Sequence, residues 1–412
     1  MIQMNNRETI NSSVKNTVKP GWPDPVLFCC TLLLNGMGLV SINSVAQVAG
    51  SNAILVRQAC GSALGIVLMI VLSQIDTRKI TRYWKLFYAV AIISLVFVLL
   101  FGVSGGGARR WIAVGGLTFQ PSELAKILLI LFYSEFIINF DGKYSRTLVF
   151  ALSTLLILPP FFMILREPDL STSIMIFLIF CVIIFTAGLD RKIIAGVTAA
   201  AIPTALIIIY MSVIGDSSFL GEYQRQRILA WLHPEDYASS TAYQTMNSMT
   251  AIGSGQLIGK GLHVEDSGTL LGTGFISESQ TDFIFAVIGE QLGFLGCCIM
   301  IFLISVITVR CYLIASRSRS LHDKIIACGM AAWIGLQSYL NIGVTTGLLP
   351  NTGIPLPFVS YGLTSLICLY CGLGLVQSVN LKNQSESNNS EARYGDSDVL
   401  NGEPNEDRTN RT

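Results

Sequence analysis

The sequence predicts an all-α, polytopic membrane protein of about ten transmembrane helices, with one long extracellular loop between the seventh and eighth. Three observations carry this. Of the 412 residues, 51% are hydrophobic and only 13% charged, whereas soluble domains carry about 25% charged residues. Mean hydropathy is +0.58. Runs of roughly 20 apolar residues, the length a helix needs to cross a bilayer, recur along the chain.

The expected spans lie at 25–42, 57–75, 84–102, 121–140, 147–165, 173–189, 193–214, 283–309, 325–347 and 358–380. An even number puts both termini on one side, and basic residues accumulate in cytoplasmic loops. With the N-terminus inside, 19 Lys and Arg fall on inner segments and 7 on outer ones. That bias places the loop 215–282 outside. Residues 1–24 read as a polar cytoplasmic tail without a cleavable signal, and 25–381 as the membrane domain. Residues 382–412, rich in Asn, Ser, Glu and Asp, read as a disordered cytoplasmic tail. The ten cysteines lie in or beside apolar runs and imply neither a disulfide framework nor a metal site. A net charge of +1 gives no sign of a nucleic-acid partner. The three histidines (233, 263 and 322) are scattered, and Gly259-Lys-Gly261 is too short for a nucleotide-cradling loop. No cofactor is expected, and the sequence leaves the need for a divalent cation open.

The loop 215–282 is not low-complexity, and long loops inside compact architectures are usually functional or disordered. It holds Tyr223-Gln-Arg-Gln-Arg227 and Lys260, then ends on Glu278-Ser-Gln-Thr-Asp282, which runs directly into an apolar helix. A second stretch begins with a flexible Gly105-Gly-Gly and continues Arg109-Arg110-Trp through Gln120-Pro-Ser-Glu123-Leu-Ala-Lys126. Pro121 suits a first helical turn, with Glu123 near the positive end of the dipole. Glu123 and Lys126 are three apart and share a face. An ionisable group inside a span costs about 2.5–3.5 kcal/mol and normally faces a partner or a wet cavity. A third stretch, Arg166-Glu167-Pro168-Asp169, is a charged outer turn. A fourth, Asn341 to Gly362, breaks two helices with prolines and glycines and carries the hydroxyl of Ser360. Irregular backbone at membrane depth is tolerated where it is buried or lines a cavity. Together these segments gather carboxylates (Glu123, Asp169, Glu278, Asp282) and cations (Arg109, Arg110, Lys126, Arg225, Arg227, Lys260) at the outer face. Cations suit a phosphate headgroup, and a neighbouring carboxylate can serve as a general base. The chemistry is that of a membrane enzyme or transporter acting on an anionic, lipid-linked substrate.

In order along the chain, Arg109-Arg-Trp-Ile, Gln120-Pro-Ser-Glu-Leu-Ala-Lys126, Tyr223-Gln-Arg-Gln-Arg-Ile228, Ala251-Ile-Gly-Ser-Gly255, Thr281-Asp-Phe-Ile-Phe-Ala286 and Pro355-Leu-Pro-Phe-Val-Ser-Tyr-Gly362 resemble the SEDS family, which includes RodA, FtsW and SpoVE. The resemblance implies a peptidoglycan glycosyltransferase in the bacterial cell membrane. It would polymerise lipid II, the undecaprenyl-pyrophosphate-linked disaccharide pentapeptide, in elongation, division or sporulation. A class B penicillin-binding protein would be its transpeptidase partner. Asp282 matches the family's catalytic position, and Glu123 and Lys126 match its membrane Glu and Lys. Three motifs depart from the family's usual wording: Ile276-Ser-Glu278, Glu167-Pro-Asp-Leu-Ser-Thr172 and Tyr361-Gly-Leu363. None of them removes a charged position.

The resulting expectation has Asp282 as the catalytic base. Arg109, Arg110, Glu123, Lys126, Arg225, Arg227, Lys260, Glu278 and Ser360 are candidate substrate-binding residues. One tension is that a helix N-terminus favours a charged carboxylate and so makes it a weaker base. Either the loop desolvates Asp282, or part of its role is to position the acceptor. The alternative function is a lipid II flippase with Glu123 and Lys126 along its path.

Overall fold

The computed structural model describes the chain apart from residues 1–22, 49, 106–107, 116, 141, 168, 189–221, 263–268, 273–277 and 401–412. The expected span 193–214 therefore lies outside the described residues. The other nine coincide with helices. In chain order these are α1 (Pro25–Val48), α2 (Ala53–Ser73), a short α3 (Thr77–Thr81), α4 (Trp84–Phe101), α5 (Pro121–Phe140), α6 (Arg146–Arg166) and α7 (Leu170–Thr186). After α7 come α8 (Glu222–Leu232) and α9 (Tyr243–Ser254) within the long loop, then α10 (Ile284–Arg317), α11 (Leu321–Thr345) and α12 (Leu363–Leu400). Among the described residues, seven helices are long and apolar enough to cross a membrane. The 20-residue α5 carries Glu123, Lys126 and Glu135, and α7 has 17 residues.

One element departs from the all-α expectation. The glycine-rich stretch after α4 carries a three-stranded antiparallel sheet, β1 (Val103–Gly105), β2 (Ala108–Val114) and β3 (Leu117–Phe119), in the order β1-β2-β3. Ser104 pairs with Arg109 and Ile112 with Phe119. Alternation along β2 sends neighbouring side chains to opposite faces, so Arg109 is exposed while Arg110 is buried. A second departure lies at the C-terminal end, where α12 continues past 381 to Leu400. Lys382 donates to Asp323 on α11 at 2.6 Å, and Asn383 donates to the Ile314 carbonyl at 3.1 Å. Lys382 and Asn383, the first two residues of the stretch read as disordered, are here docked against the bundle.

The helix α10 is broken at Gly293, whose φ of 65° and ψ of −163° are open to glycine without strain. The segment 256–261 fills the break. Phe294 N–H donates to Gln256 O at 2.8 Å and Leu295 N–H to Leu257 O at 3.1 Å, while Glu290 O and Gln291 O accept from Lys260 and Gly261 N–H at 2.9 and 3.0 Å. Backbone groups freed in the membrane must find such partners. The long loop is thereby knitted into the span that follows it.

Candidate functional site

Asp282 lies between two irregular segments. Three successive carbonyls in front of α10 are each taken by a different donor. Gln280 O accepts from Tyr361 N–H at 2.7 Å, Thr281 O from the Ser360 hydroxyl at 2.6 Å, and Asp282 O from the Asn341 amide at 2.8 Å. The same Asn341 amide donates to Ile354 O at 2.7 Å, and Gln337, one turn earlier on α11, donates to Pro355 O at 2.9 Å. From the other side, Asn35 donates to Phe358 O at 3.1 Å and Gln58 to Ser360 O at 3.0 Å. Side-chain amides of three spans thus replace the helical bonds that Pro355 and Pro357 preclude.

A polar cavity of about 560 Å³ opens over this platform. Its walls bring together Arg57 from α2, Arg110, Trp111 and Thr118 from the sheet, Arg227 from α8, Gln244 from α9, Glu278 and Asp282, and the stretch from Asn351 to Ser365. Three arginines face two carboxylates, so the lining is cationic. Arg227 donates to Asn351 O at 3.1 Å. Arg110 lies 3.8 Å from Asp169, which caps α7 by accepting from Thr172 N–H at 3.1 Å. Burial and the neighbouring Asp169 raise Glu167 to about 8 despite Arg110, so this carboxyl is neutral at pH 7. Burial also raises Asp282 to about 6, with Glu278 adding to it and Arg227 and Arg110 opposing. Desolvation outweighs the helix dipole at this carboxyl.

The sequence-derived candidates divide. Asp282, Glu278, Arg110 and Arg227 line the cavity. Arg109 is exposed on the other face of β2 and Arg225 is half-buried, and neither lines it. Ser360 is 4% exposed, and its hydroxyl also accepts from Leu356 N–H at 2.7 Å, so it braces the Asp282 segment from beneath. Lys260 pairs with Glu290 of α10 at 2.9 Å, away from the cavity. Glu290 was missed as a partner; it also accepts from Leu270 and Leu271 N–H at 2.8 and 3.1 Å. Glu123 and Lys126 form a buried pair at 2.6 Å, with Lys126 also donating to Gln337 at 2.8 Å and lying 4.8 Å from the Trp333 ring centre. Through Gln337 the pair supports Pro355 and acts on the site from below. Gln244 and Gly353 line the cavity from stretches that the sequence singled out without naming them as candidates, and Arg57 is a cavity residue that no motif signalled. Among the described residues no group of three or more His, Cys, Asp or Glu is placed to hold a metal ion.

Gly353 gives the first expected result. Its φ is +71°, and an added Cβ would lie 3.3 Å from Asp282 Oδ2 and 3.9 Å from an Arg227 guanidinium nitrogen. Gly353→Ala should cost about 1–2 kcal/mol of stability for the left-handed backbone. It should lower turnover further by crowding the carboxylate. Thermal unfolding and initial rates on the purified variant check this, and unchanged turnover would remove Gly353 from the site.

Residues 25–385 match the family model described as cell cycle protein, FtsW/RodA/SpoVE. The chain is 34% identical to peptidoglycan glycosyltransferase MrdB of Escherichia coli K12 over 359 residues, covering 87% of this chain and 93% of that one. It is 32% identical to stage V sporulation protein E of Bacillus subtilis over 380 residues, covering 88% and 98%. Among solved structures, it resembles a chain from a peptidoglycan synthase complex that coordinates polymerization and crosslinking, with a TM-score of 0.71, 28% identity and coverage of 88% and 98%. The rod shape determining protein RodA of Thermus thermophilus aligns with a TM-score of 0.63 at 27% identity, covering 88% and 98%. With its spans, its platform and its carboxylate-bearing cavity in place, the chain belongs to the FtsW/RodA/SpoVE family of multi-pass bacterial membrane proteins.

Proposed function

We infer that this protein is a peptidoglycan glycosyltransferase that builds glycan strands from lipid II at the outer face of the membrane. The observation that carries this is the placement of Asp282, raised to about 6, on the wall of a cationic cavity. That cavity meets an apolar groove of about 640 Å³, which shares Thr118, Leu363 and Thr364 with it and is lined further by Phe87, Leu128 and Leu375. A polar headgroup above and a polyprenyl tail in the groove fit this pairing.

In the reaction, the acceptor sugar's 4-hydroxyl oxygen forms a bond to the anomeric carbon of the donor. The bond from that carbon to the diphosphate oxygen breaks, and the diphosphate leaves with the electron pair. Asp282 accepts the hydroxyl proton. Guanidinium groups on the cavity wall balance charge as it develops on the leaving group. A single displacement inverts the anomeric centre. A class B penicillin-binding protein would crosslink the product.

A flippase needs a polar route through the membrane. Beside Lys126 there is a space of only about 10 Å³, lined otherwise by Leu129, Tyr133, Phe180 and other residues of the core. A headgroup cannot pass there, which favours the enzyme. Purified protein with its transpeptidase partner should lengthen lipid II into glycan, resolved by gel, without moving lipid II across vesicle bilayers. Translocation without polymer would reverse the assignment.

Sidedness has its own test. In cells lacking native thiols, a cysteine at position 240 should react with a membrane-impermeant maleimide, and one at 319 should be spared. The opposite pattern would invert the topology.

A further inference from the structure

We propose that Glu290 is a positioning residue for Asp282: its carboxylate fixes Leu270 and Leu271 of the outer loop, and Leu270 seats Phe283 and the aspartate before it. The assignment rests on the role inferred above for Asp282. Glu290 lies eight residues after Asp282, is 1% exposed and does not line the cavity. A buried carboxylate is costly unless its oxygens are matched. Here Oε1 accepts from Leu270 N–H at 2.8 Å and from Lys260 Nζ at 2.9 Å, and Oε2 accepts from Leu271 N–H at 3.1 Å. Hydrogen bonds to an ionised group are about twice as strong as neutral ones. Two glycines let the loop backbone come this close to α10. A Cβ at Gly255 would lie 1.9 Å from Gly289 O, and one at Gly259 would lie 2.1 Å from Gln291 O.

What Glu290 holds bears on the reactive segment. Leu271 is buried in the main core. Leu270 packs against a separate small cluster of Ala251, Phe283, Ala286 and Val344. Phe283 directly follows Asp282 and is buried. The segment also needs restraint. Glu278 has a φ of 55°, and its carbonyl accepts from Thr281 and Phe283 N–H at 3.1 and 3.4 Å. Such a backbone persists only where its surroundings impose it. Tyr361, Ser360 and Asn341 tie the segment to α11 and to the stretch before α12, and Leu270 ties it to the loop. Burial is the main cause that raises Asp282. A loop that releases Phe283 would admit water and return the carboxyl toward its ordinary range.

The test is the pH–rate profile of lipid II polymerisation by full-length Glu290→Gln with its transpeptidase partner. Gln fills the same space, but its NH2 group confronts one of the donors. Turnover should fall about ten- to a hundredfold, the cost of a misplacement of about 1 Å. KM should stay unchanged, because Glu290 does not touch the cavity. The acid limb, near pH 6 in the wild type, should move to lower pH. Leu270→Ala keeps both N–H bonds and loses the contact with Phe283, so its limb should move the same way. If Glu290→Gln does not fold, Leu270→Ala decides alone. A glutamate that only stabilises the fold would lower the unfolding temperature and leave the limb in place. An unmoved limb in the folded variants would overturn the assignment and leave the polymerase reading intact. Carbodiimide labelling of Asp282 against pH, read by mass spectrometry, follows the same titration without turnover. A protein that makes no glycan would remove the polymerase reading, and a labelling midpoint lowered by these substitutions would still sustain the seat of Asp282.

Discussion

Replacing Asp282 with Asn is expected to abolish glycan polymerisation while expression, membrane insertion and partner binding stay normal. Asn keeps the shape of the side chain and cannot take a proton. General bases contribute about 10²–10⁴ in rate, and the three donors that hold the segment bind main-chain carbonyls, which the substitution leaves in place. The pH profile sharpens the test. Asp282 works when deprotonated, so with its titration raised to about 6 the wild-type rate should be level above that pH. It should fall about tenfold per unit below. Residual activity in Asp282→Asn should lack this limb. Glu278→Gln should cost less, because Glu278 is exposed and acts on Asp282 only through its charge. Full activity of purified Asp282→Asn would eliminate the proposed base.

The second large effect is one of stability. Lys126→Ala leaves the Glu123 carboxylate 1% exposed and unpaired, with one of its oxygens already lacking a partner. Removing one member of a buried pair costs about 3–5 kcal/mol. The double variant Glu123→Ala with Lys126→Ala should cost much less than the sum of the singles, because neither charge is then stranded. Thermal unfolding in detergent of the four proteins measures this coupling. Strictly additive losses would mean the two residues act apart. Activity should follow stability in Lys126→Ala, since Gln337 loses the ammonium at 2.8 Å while still holding Pro355.

Spans were legible because length and hydropathy are local properties, and nine of the expected ten overlap described helices, although the last helix runs on to Leu400. The sheet at 103–119 was not, since a glycine that looks flexible in a sequence, such as Gly115 at φ 58°, also serves a turn between antiparallel strands. Asp282 and Arg227 were legible through motifs. Arg57 was not, because the cavity wall that it joins is built from residues some 300 positions away, as the Gln58 contact across 302 positions shows. Lys260 and Ser360 were assigned to substrate from their neighbourhood in the chain, and both have protein partners. A usable signal did exist for the platform. Gln337 and Asn341, four apart within an apolar span, share a helix face, and amides there need partners in the membrane.

The bonds that hold the Asp282 segment also set an order of events in biosynthesis. Asn341 is made 59 residues after Asp282, and Ser360 is made 79 residues after Thr281. At about 5–20 residues per second, Asp282 is translated roughly 4–16 s before Ser360. A nascent chain stalled anywhere in that interval carries its carboxylate on an untethered strand, with no α12 to complete the cavity. Only threading of the final span brings Tyr361 to Ser365 onto the cavity wall that carries Asp282.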